Sequence, residues 1–186
     1  NEIIQQNSDL LLKLIDDVVD LSSLEIGKMQ FLFANNNAVA ICRNVVDTVE
    51  KIKQTSASVL FQTSLENLEI YTDEARLQQL LINLLINATK FTTEGSITLS
   101  LEKQSEEVAL FAVSDTGCGI APEKQGTIFN RFEKLNEFVQ GTGLGLAICK
   151  LTIQYMGGDI WIDKSYKNGA RFIFSHPIKK QESTEK

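Results

Sequence analysis

The chain has a single histidine, His176, two prolines and three cysteines among its 186 residues. One histidine and the thiols of Cys42, Cys118 and Cys149, which show no C-x-x-C spacing, exclude a zinc site of the usual kind. An odd number of scattered thiols fits a reduced compartment better than a disulfide framework. Positive charge is also short: 18 Lys and Arg stand against 24 Asp and Glu, for a net charge of -6. This argues against a surface for nucleic-acid phosphates or anionic lipid, so any phosphate the chain binds must be held locally. No apolar run approaches the roughly 20 residues that cross a bilayer, and the N-terminus has no basic region or cleavage-like site. No direct membrane contact is therefore expected of this stretch. It opens at Asn1-Glu2-Ile3-Ile4, inside a helical pattern and without an initiator methionine, and so reads as part of a longer protein.

What is present suffices for one good core, since 43% of the residues are hydrophobic. From Ile4 to Leu24, apolar residues recur at Ile4, Leu11 and Val18 and at Leu14 and Leu21, with Leu10, Ile15 and Val19 widening the stripe. This spacing predicts a helix broad enough to pack against several neighbours. Gly27 stops it, placing a boundary near residue 27, and Lys28 to Phe33 reads as a strand. A second helix is expected over Ala38 to Gln54, short strands at Val59-Leu60-Phe61 and Leu68 to Tyr71, and a long helix from Asp73 to Phe91 that buries Leu77, Leu80, Leu81, Leu84, Leu85 and Ala88. Strands follow over Ser96 to Lys103 and Val108 to Ser114. Residues 116 to 143 mix glycine, polar residues and isolated aromatics, the pattern of a long functional loop. Leu144 to Met156 returns to helix, and Asp159 to Asp163 with Ala170 to Phe174 forms a closing strand pair. Strands and helices interleave irregularly. The expected fold is α+β: a two-layer α/β sandwich with a mixed sheet and helices on one face, preceded by a long stalk helix.

Three segments carry chemistry. Asn83, Asn87 and Lys90 fall at i, i+4 and i+7, so they form a polar line on one side of the long helix, beside its leucine stripe. Two amide oxygens and an ammonium suit a hydrated magnesium ion bridging phosphates, although the same spacing also describes the solvated edge of an amphipathic helix. Asp115-Thr116-Gly117-Cys118-Gly119-Ile120 puts a carboxylate at a strand end, followed by glycines that let a ligand approach the backbone. It suits an exocyclic amine such as adenine's and also makes an ordinary turn. Gly141-Thr142-Gly143-Leu144-Gly145-Leu146 is a glycine-rich loop running into a helix, where free N–H groups and the helix dipole favour phosphate. It is not the dinucleotide fingerprint, whose third glycine would be Leu146, and no Walker A loop occurs anywhere.

In this order the segments resemble the N box (Asn83 to Phe91), the G1 box (Asp115 to Ile120), the F box (Ile128-Phe129-Asn130-Arg131-Phe132) and the G2 box (Gly141 to Leu146) of the GHKL ATPases. The wording is that of bacterial sensor histidine kinases. Asn7-Ser8 through Gly27-Lys28 is similar to the second helix of their dimerisation stalk and its exit, and Gly169-Ala170-Arg171-Phe172 to the turn opening their last strand. The resemblance implies residues 1–27 as the end of the stalk, 28–178 as the ATP-binding catalytic domain and 179–186 as a disordered tail. It implies ATP and Mg2+ as ligands, with Asn87 as the principal metal ligand and Asn83 supporting it, Lys90 on the phosphates and Phe91 beside the nucleotide. Asp115 would read the adenine amine, with Gly117, Gly119 and Ile120 shaping the pocket. Residues 122 to 140 would form a lid, with Arg131 or Lys134 reaching the phosphates. Gly141, Thr142, Gly143, Leu144, Gly145 and Leu146 would hinge that lid and cradle the phosphates.

The implied activity is transfer of the γ-phosphoryl of Mg-ATP to a stalk histidine. That acceptor would precede residue 1, so no self-phosphorylation is expected of this stretch and no catalytic side chain is assigned within it. His176 is expected to be a surface or strand-end histidine, not the acceptor. The implied partners are a response regulator receiver domain and a second copy through the stalk, with no nucleic acid. The implied setting is a cytoplasmic domain of a membrane-anchored parent. Two other readings stay open, a nucleotide-binding regulatory module without catalysis and another GHKL ATPase.

Overall fold

A computed structural model describes residues 1–134 and 141–182. Helix α1 (Glu2–Glu25) is followed by β1 (Ala34–Asn37), α2 (Ala38–Ile52), β2 (Ser58–Gln62), β3 (Glu69–Thr72) and α3 (Glu74–Phe91). Then come β4 (Ser96–Lys103), β5 (Val108–Asp115), α4 (Gly145–Tyr155), β6 (Ile160–Ile162) and β7 (Arg171–Pro177). Five strands form one mixed sheet in the order β2-β4-β5-β7-β6, in which β2 and β4 are parallel and the other pairs antiparallel. Helices α2, α3 and α4 cover one face, and β1 and β3 form a separate two-stranded ribbon. The α+β sandwich with a leading helix is therefore the observed architecture.

Strand alternation builds the core and delivers the site. On β5, Ala109, Phe111 and Val113 point inward, and the same two-residue period carries Asp115 to that face at the strand's end. Opposite them β7 supplies Phe172 and Phe174, and the rings of Phe111 and Phe174 stack with centroids 4.6 Å apart. Burying an aromatic ring of this size contributes roughly 1.5–3 kcal/mol. The α3 stripe of Leu77, Leu80, Leu81, Leu84, Leu85 and Ala88 closes on this layer as the spacing requires. Asp73 caps α3 by accepting from Arg76 N at 3.0 Å, and its other oxygen takes Leu32 N at 2.8 Å.

Two expectations are corrected. Residues Lys28 to Phe33 are not a strand; they cross the helix layer as an extended strap in which Phe31 stacks on Tyr155 and Phe33 on Tyr71. Pairing begins only at Ala34, in a run of asparagines with poor strand propensity. There Asn36 Nδ2 donates to Thr72 O and the Asn37 side chain caps α2, so side-chain bonds to the backbone hold the pairing where apolar alternation is lacking. His176, at the end of β7, is wholly buried instead of lying at the surface. Its Nε2 faces Thr72 Oγ1 at 2.9 Å and its Nδ1 faces Pro177 O at 2.7 Å, and burial pushes its proton affinity down. Of the expected tail, residues 179–182 carry no regular structure and 183–186 lie outside the described residues.

Helix α1 packs on α4 through a second, smaller core in which Leu21 and Leu24 meet Leu144, Ala147 and Ile148. Its opposite face leaves Ile4, Leu11, Ile15, Val18 and Val19 exposed. The broad stripe is thus shared between one neighbour that is present and solvent.

Candidate functional site

A cavity of about 590 Å³ lies between α3, α1 and the loop entering α4. From α3 it is lined by Asn83, Asn87, Lys90 and Phe91, and from the loop by Gly141, Thr142, Gly143, Gly145 and Leu146. The polar line on α3 therefore faces a cleft and not open solvent. Asn83 and Asn87 are half-buried there, and among the described residues the Asn87 amide has no hydrogen-bond partner. Lys90 lies against the loop: a methyl group placed at Gly141 would sit 3.4 Å from Lys90 Nζ. Partial burial, then the charge of Lys13, pushes the Lys90 ammonium below its usual proton affinity, and Asp17 opposes the shift. Among the described residues no carboxylate lies within ion-pair distance of Lys90. A cation on the cavity wall that pairs with no described carboxylate is a ready partner for phosphate oxygens.

Loop geometry follows from its glycines. Gly143 has φ +74°, and a Cβ there would come within 2.7 Å of Phe132 Cα, so the loop runs directly against the backbone of the F-box segment. Leu144 is buried against Leu21 and Leu24 of α1, not in the cavity wall.

Asp115 lies beyond Phe91. Its Oδ1 accepts from Gly117 N at 2.9 Å and Ala170 N at 3.1 Å, and its carbonyl accepts from the Tyr166 hydroxyl at 2.9 Å. Burial raises its proton affinity, while the two backbone N–H bonds pull it back. A Cβ on Gly117 would stand 2.2 Å from Phe91 O, and Cys118 N donates to the same carbonyl at 3.4 Å. The turn is therefore fastened to the end of α3, so Phe91 joins the cavity to Asp115. Thr92 Oγ1, 2.8 Å from that same Cβ position, is buried without a partner. Gly119 packs against the backbone of Gly169, and Ile120 is half-buried against the main core.

Of the two cations offered by the F-box region, Lys134 lines the cavity, while Arg131 is ion-paired with Glu25 at the end of α1 and does not line it. Residues 121–134 form successive turns anchored by Ile128 in the core and by Phe129 edge-on to Phe172. The rest of the expected lid, 135–140, lies outside the described residues.

Sequence reading missed the α1 wall. Gln6, Asp9, Leu10, Lys13 and Asp17 also line the cavity. Asp17 is 2% exposed, accepts from Thr142 Oγ1 at 2.7 Å and pairs with Lys13 at 2.8 Å. The signal was available: Leu10, Leu14, Asp17, Leu21 and Leu24 share one helical face, and an acid within an apolar stripe requires partners.

As for metal, amide oxygens on a cleft wall suit a hard cation that keeps most of its water. Among the described residues there is no cluster of three or more His, Cys, Asp or Glu that would replace that water. Asn87 and Asn83 therefore fit Mg2+ arriving with phosphates. Among the described residues no helix is long and apolar enough to cross a membrane.

The chain is similar to known proteins over most of its length. The family described as histidine kinase-, DNA gyrase B-, and HSP90-like ATPase matches residues 72–180. The circadian input-output histidine kinase CikA of Synechococcus elongatus is 34% identical over 177 residues, covering 91% of this chain and 23% of that protein. Full-length ShkA, solved in complex with AMPPNP, superposes with a TM-score of 0.84 at 29% identity, over 98% of this chain and 39% of that one. Histidine kinase ThkA, solved in complex with the response regulator protein TrrA, gives a TM-score of 0.76 at 28% identity, over 95% of this chain and 50% of that one. The chain thus spans under a quarter of CikA and half or less of these solved chains. With the family match over the site-bearing half and the cleft just described, the chain belongs to the histidine kinase-, DNA gyrase B-, and HSP90-like ATPases, as the catalytic ATP-binding domain of a sensor histidine kinase.

Proposed function

We propose that this domain binds Mg-ATP with adenine at Asp115 and phosphates between α3 and the glycine loop, and presents the γ-phosphoryl to a histidine on the stalk of the longer protein. The observation that carries this is the junction at Phe91, where the cavity holding Asn87 and Lys90 meets the turn holding Asp115. Asp115 Oδ2, outside the backbone bonds that occupy Oδ1, accepts from the exocyclic amine. Lys90 and Lys134 neutralise phosphate charge, and the loop N–H groups from Gly141 to Gly145 orient the chain of phosphates. Asn87, supported by Asn83, would hold Mg2+, and the ion would supply neutralisation of charge developing on the transferred group. Phosphoryl transfer asks mainly for such positioning, so this domain needs no base of its own.

The acceptor lies outside the 186 residues, so this chain alone takes up no phosphate; one histidine buried at the end of β7 is no acceptor. The exposed face of α1, with Leu11, Ile15 and Val18, serves a second copy in the intact protein. A response regulator receives the phosphoryl group, as the ThkA complex suggests by analogy. A cytoplasmic position in a membrane-anchored bacterial parent completes the reading.

Calorimetric titration with Mg-ATP tests it. Wild type binds, while Asp115→Asn and Asn87→Ala each bind about 10- to 100-fold more weakly, since each removes a buried polar partner. Unchanged affinity in both variants would sink the assignment.

A further inference from the structure

We infer that Lys13 of α1 is a phosphate-binding residue of this cleft, so that the stalk helix takes part directly in holding the nucleotide; the inference rests on the nucleotide reading above. Helix α1 is fixed on the domain by Leu21 and Leu24, and the buried Asp17 carboxylate extends this attachment to the cleft. One Asp17 oxygen accepts from Thr142 of the glycine loop and the other from Lys13 Nζ. The ammonium is thereby held beside the glycine loop that lines the cavity.

The helix geometry gives the end of the nucleotide it meets. Asn83 lies two turns before Phe91 on α3, about 12 Å along the axis at 1.5 Å per residue. Lys13 and Asp17 share the cavity wall with Asn83, and Asp17 is tied to Thr142 of the glycine loop. With the base at Asp115 beyond Phe91, Lys13, tied through Asp17 to the glycine loop, stands on the phosphate side of the cavity.

Chemistry and charge agree. The Lys13 side chain is 51% exposed and its ammonium has three N–H donors, of which Asp17 takes one. Two remain for phosphate oxygens, so binding does not require the Asp17 pair to break. The cavity wall carries Lys13, Lys90 and Lys134 against Asp9, Asp17 and Glu133. Without Lys13 the balance would turn negative and Asp17 would face a polyphosphate with only the Thr142 hydroxyl as partner. A wall of that sign repels the ligand that the opposite wall is built to hold.

The test is calorimetry on the 186-residue chain with Mg-ATP, Mg-ADP and AMP, using wild type, Lys13→Gln and Lys13→Arg. Lys13→Gln is expected to weaken Mg-ATP about tenfold and Mg-ADP about twofold and to leave AMP unchanged, while Lys13→Arg stays within about twofold of wild type throughout. Equal Mg-ATP affinity in Lys13→Gln and wild type overturns the inference. So does an equal loss for all three ligands, which would make α1 a support of the fold alone. A wild type that binds no Mg-ATP rejects the nucleotide reading itself, whereas one that binds but ignores position 13 rejects only the role of Lys13.

Discussion

The cavity and the Asp115 turn, which meet at Phe91, are built on opposite plans. At the Asp115 end most of the polar atoms are already engaged: Oδ1 takes two backbone N–H groups, the main-chain carbonyl takes Tyr166, and the turn is fastened to Phe91. At the Lys90 end the groups are left waiting, with an ammonium on α3 and an amide one turn earlier that have no partner among the described residues, and a loop whose bends depend on glycine. Reading a base demands a fixed acceptor in one position, because discrimination is lost once the acceptor moves. Holding phosphates demands charge and free N–H groups, which cost stability until the ligand arrives. The base end should therefore be sensitive to shape, and the phosphate end should exchange affinity for stability.

The largest effect is expected from Gly117→Ala. The new methyl group would enter the space of the Phe91 carbonyl, which is backbone and cannot rotate away. The turn must then leave α3, taking Asp115 with it, at a cost of about 2–4 kcal/mol in stability and with loss of measurable Mg-ATP binding. Chemical denaturation beside calorimetry reads both. A variant that melts like wild type and still binds would mean that the base end is far more plastic than its contacts indicate.

A smaller and opposite effect on stability is expected from Asp115→Asn. Burial raises the carboxyl's folded-state proton affinity above the ordinary value of 3.8, so ionised Asp115 weighs against folding. The contribution of the protonated acid is fully present below pH 3.8 and is lost as pH rises through the folded-state value. Asparagine keeps an oxygen for Gly117 N and Ala170 N but cannot ionise. Its melting temperature relative to wild type should therefore climb between pH 4 and pH 7, even though adenine recognition suffers. A constant difference across that range would show that the backbone bonds fully offset the desolvation.

Much of this was legible in the sequence because periodicity is what buries side chains. The six buried residues of α3 and the inward row of β5 followed directly, and with them the placement of Asn83 and Asn87 on the cavity wall, while Asp115 lies outside that wall, beyond Phe91. Legibility failed where contacts, not pattern, decide the outcome. Lys28 to Phe33 alternates like a strand but finds aromatic rings in place of a partner strand, while the asparagine-rich Ala34 to Asn37 pairs through side-chain bonds to the backbone. Leu144 and Arg131 belong to motif positions associated with the nucleotide, yet both contact α1, because the packing of that helix brings Leu24 and Glu25 to them. The α1 wall needs the tertiary fold to be seen, although the acid inside its leucine stripe pointed to it.

Lys90→Met sharpens the comparison most finely, since it changes charge with little change in shape. Burial and the nearby Lys13 lower the folded-state proton affinity of Lys90 below the ordinary 10.5, so at pH 7 the protonated lysine weighs against the fold. That penalty is absent above pH 10.5, where both states are neutral, grows as pH falls below 10.5 and is fully present below the folded-state value. Lys90→Met should therefore melt slightly higher than wild type at pH 7 without ligand, since solvent screens the exposed ammonium, by an amount that shrinks as pH approaches 10, while its Mg-ATP affinity drops about tenfold. Paired thermal melts with and without Mg-ATP at pH 7 and pH 9.5 measure both quantities. A variant less stable than wild type at pH 7 would mean that Lys90 already has its compensation within the protein. The phosphate end would then be as fully engaged as the base end, and the contrast between them would fall.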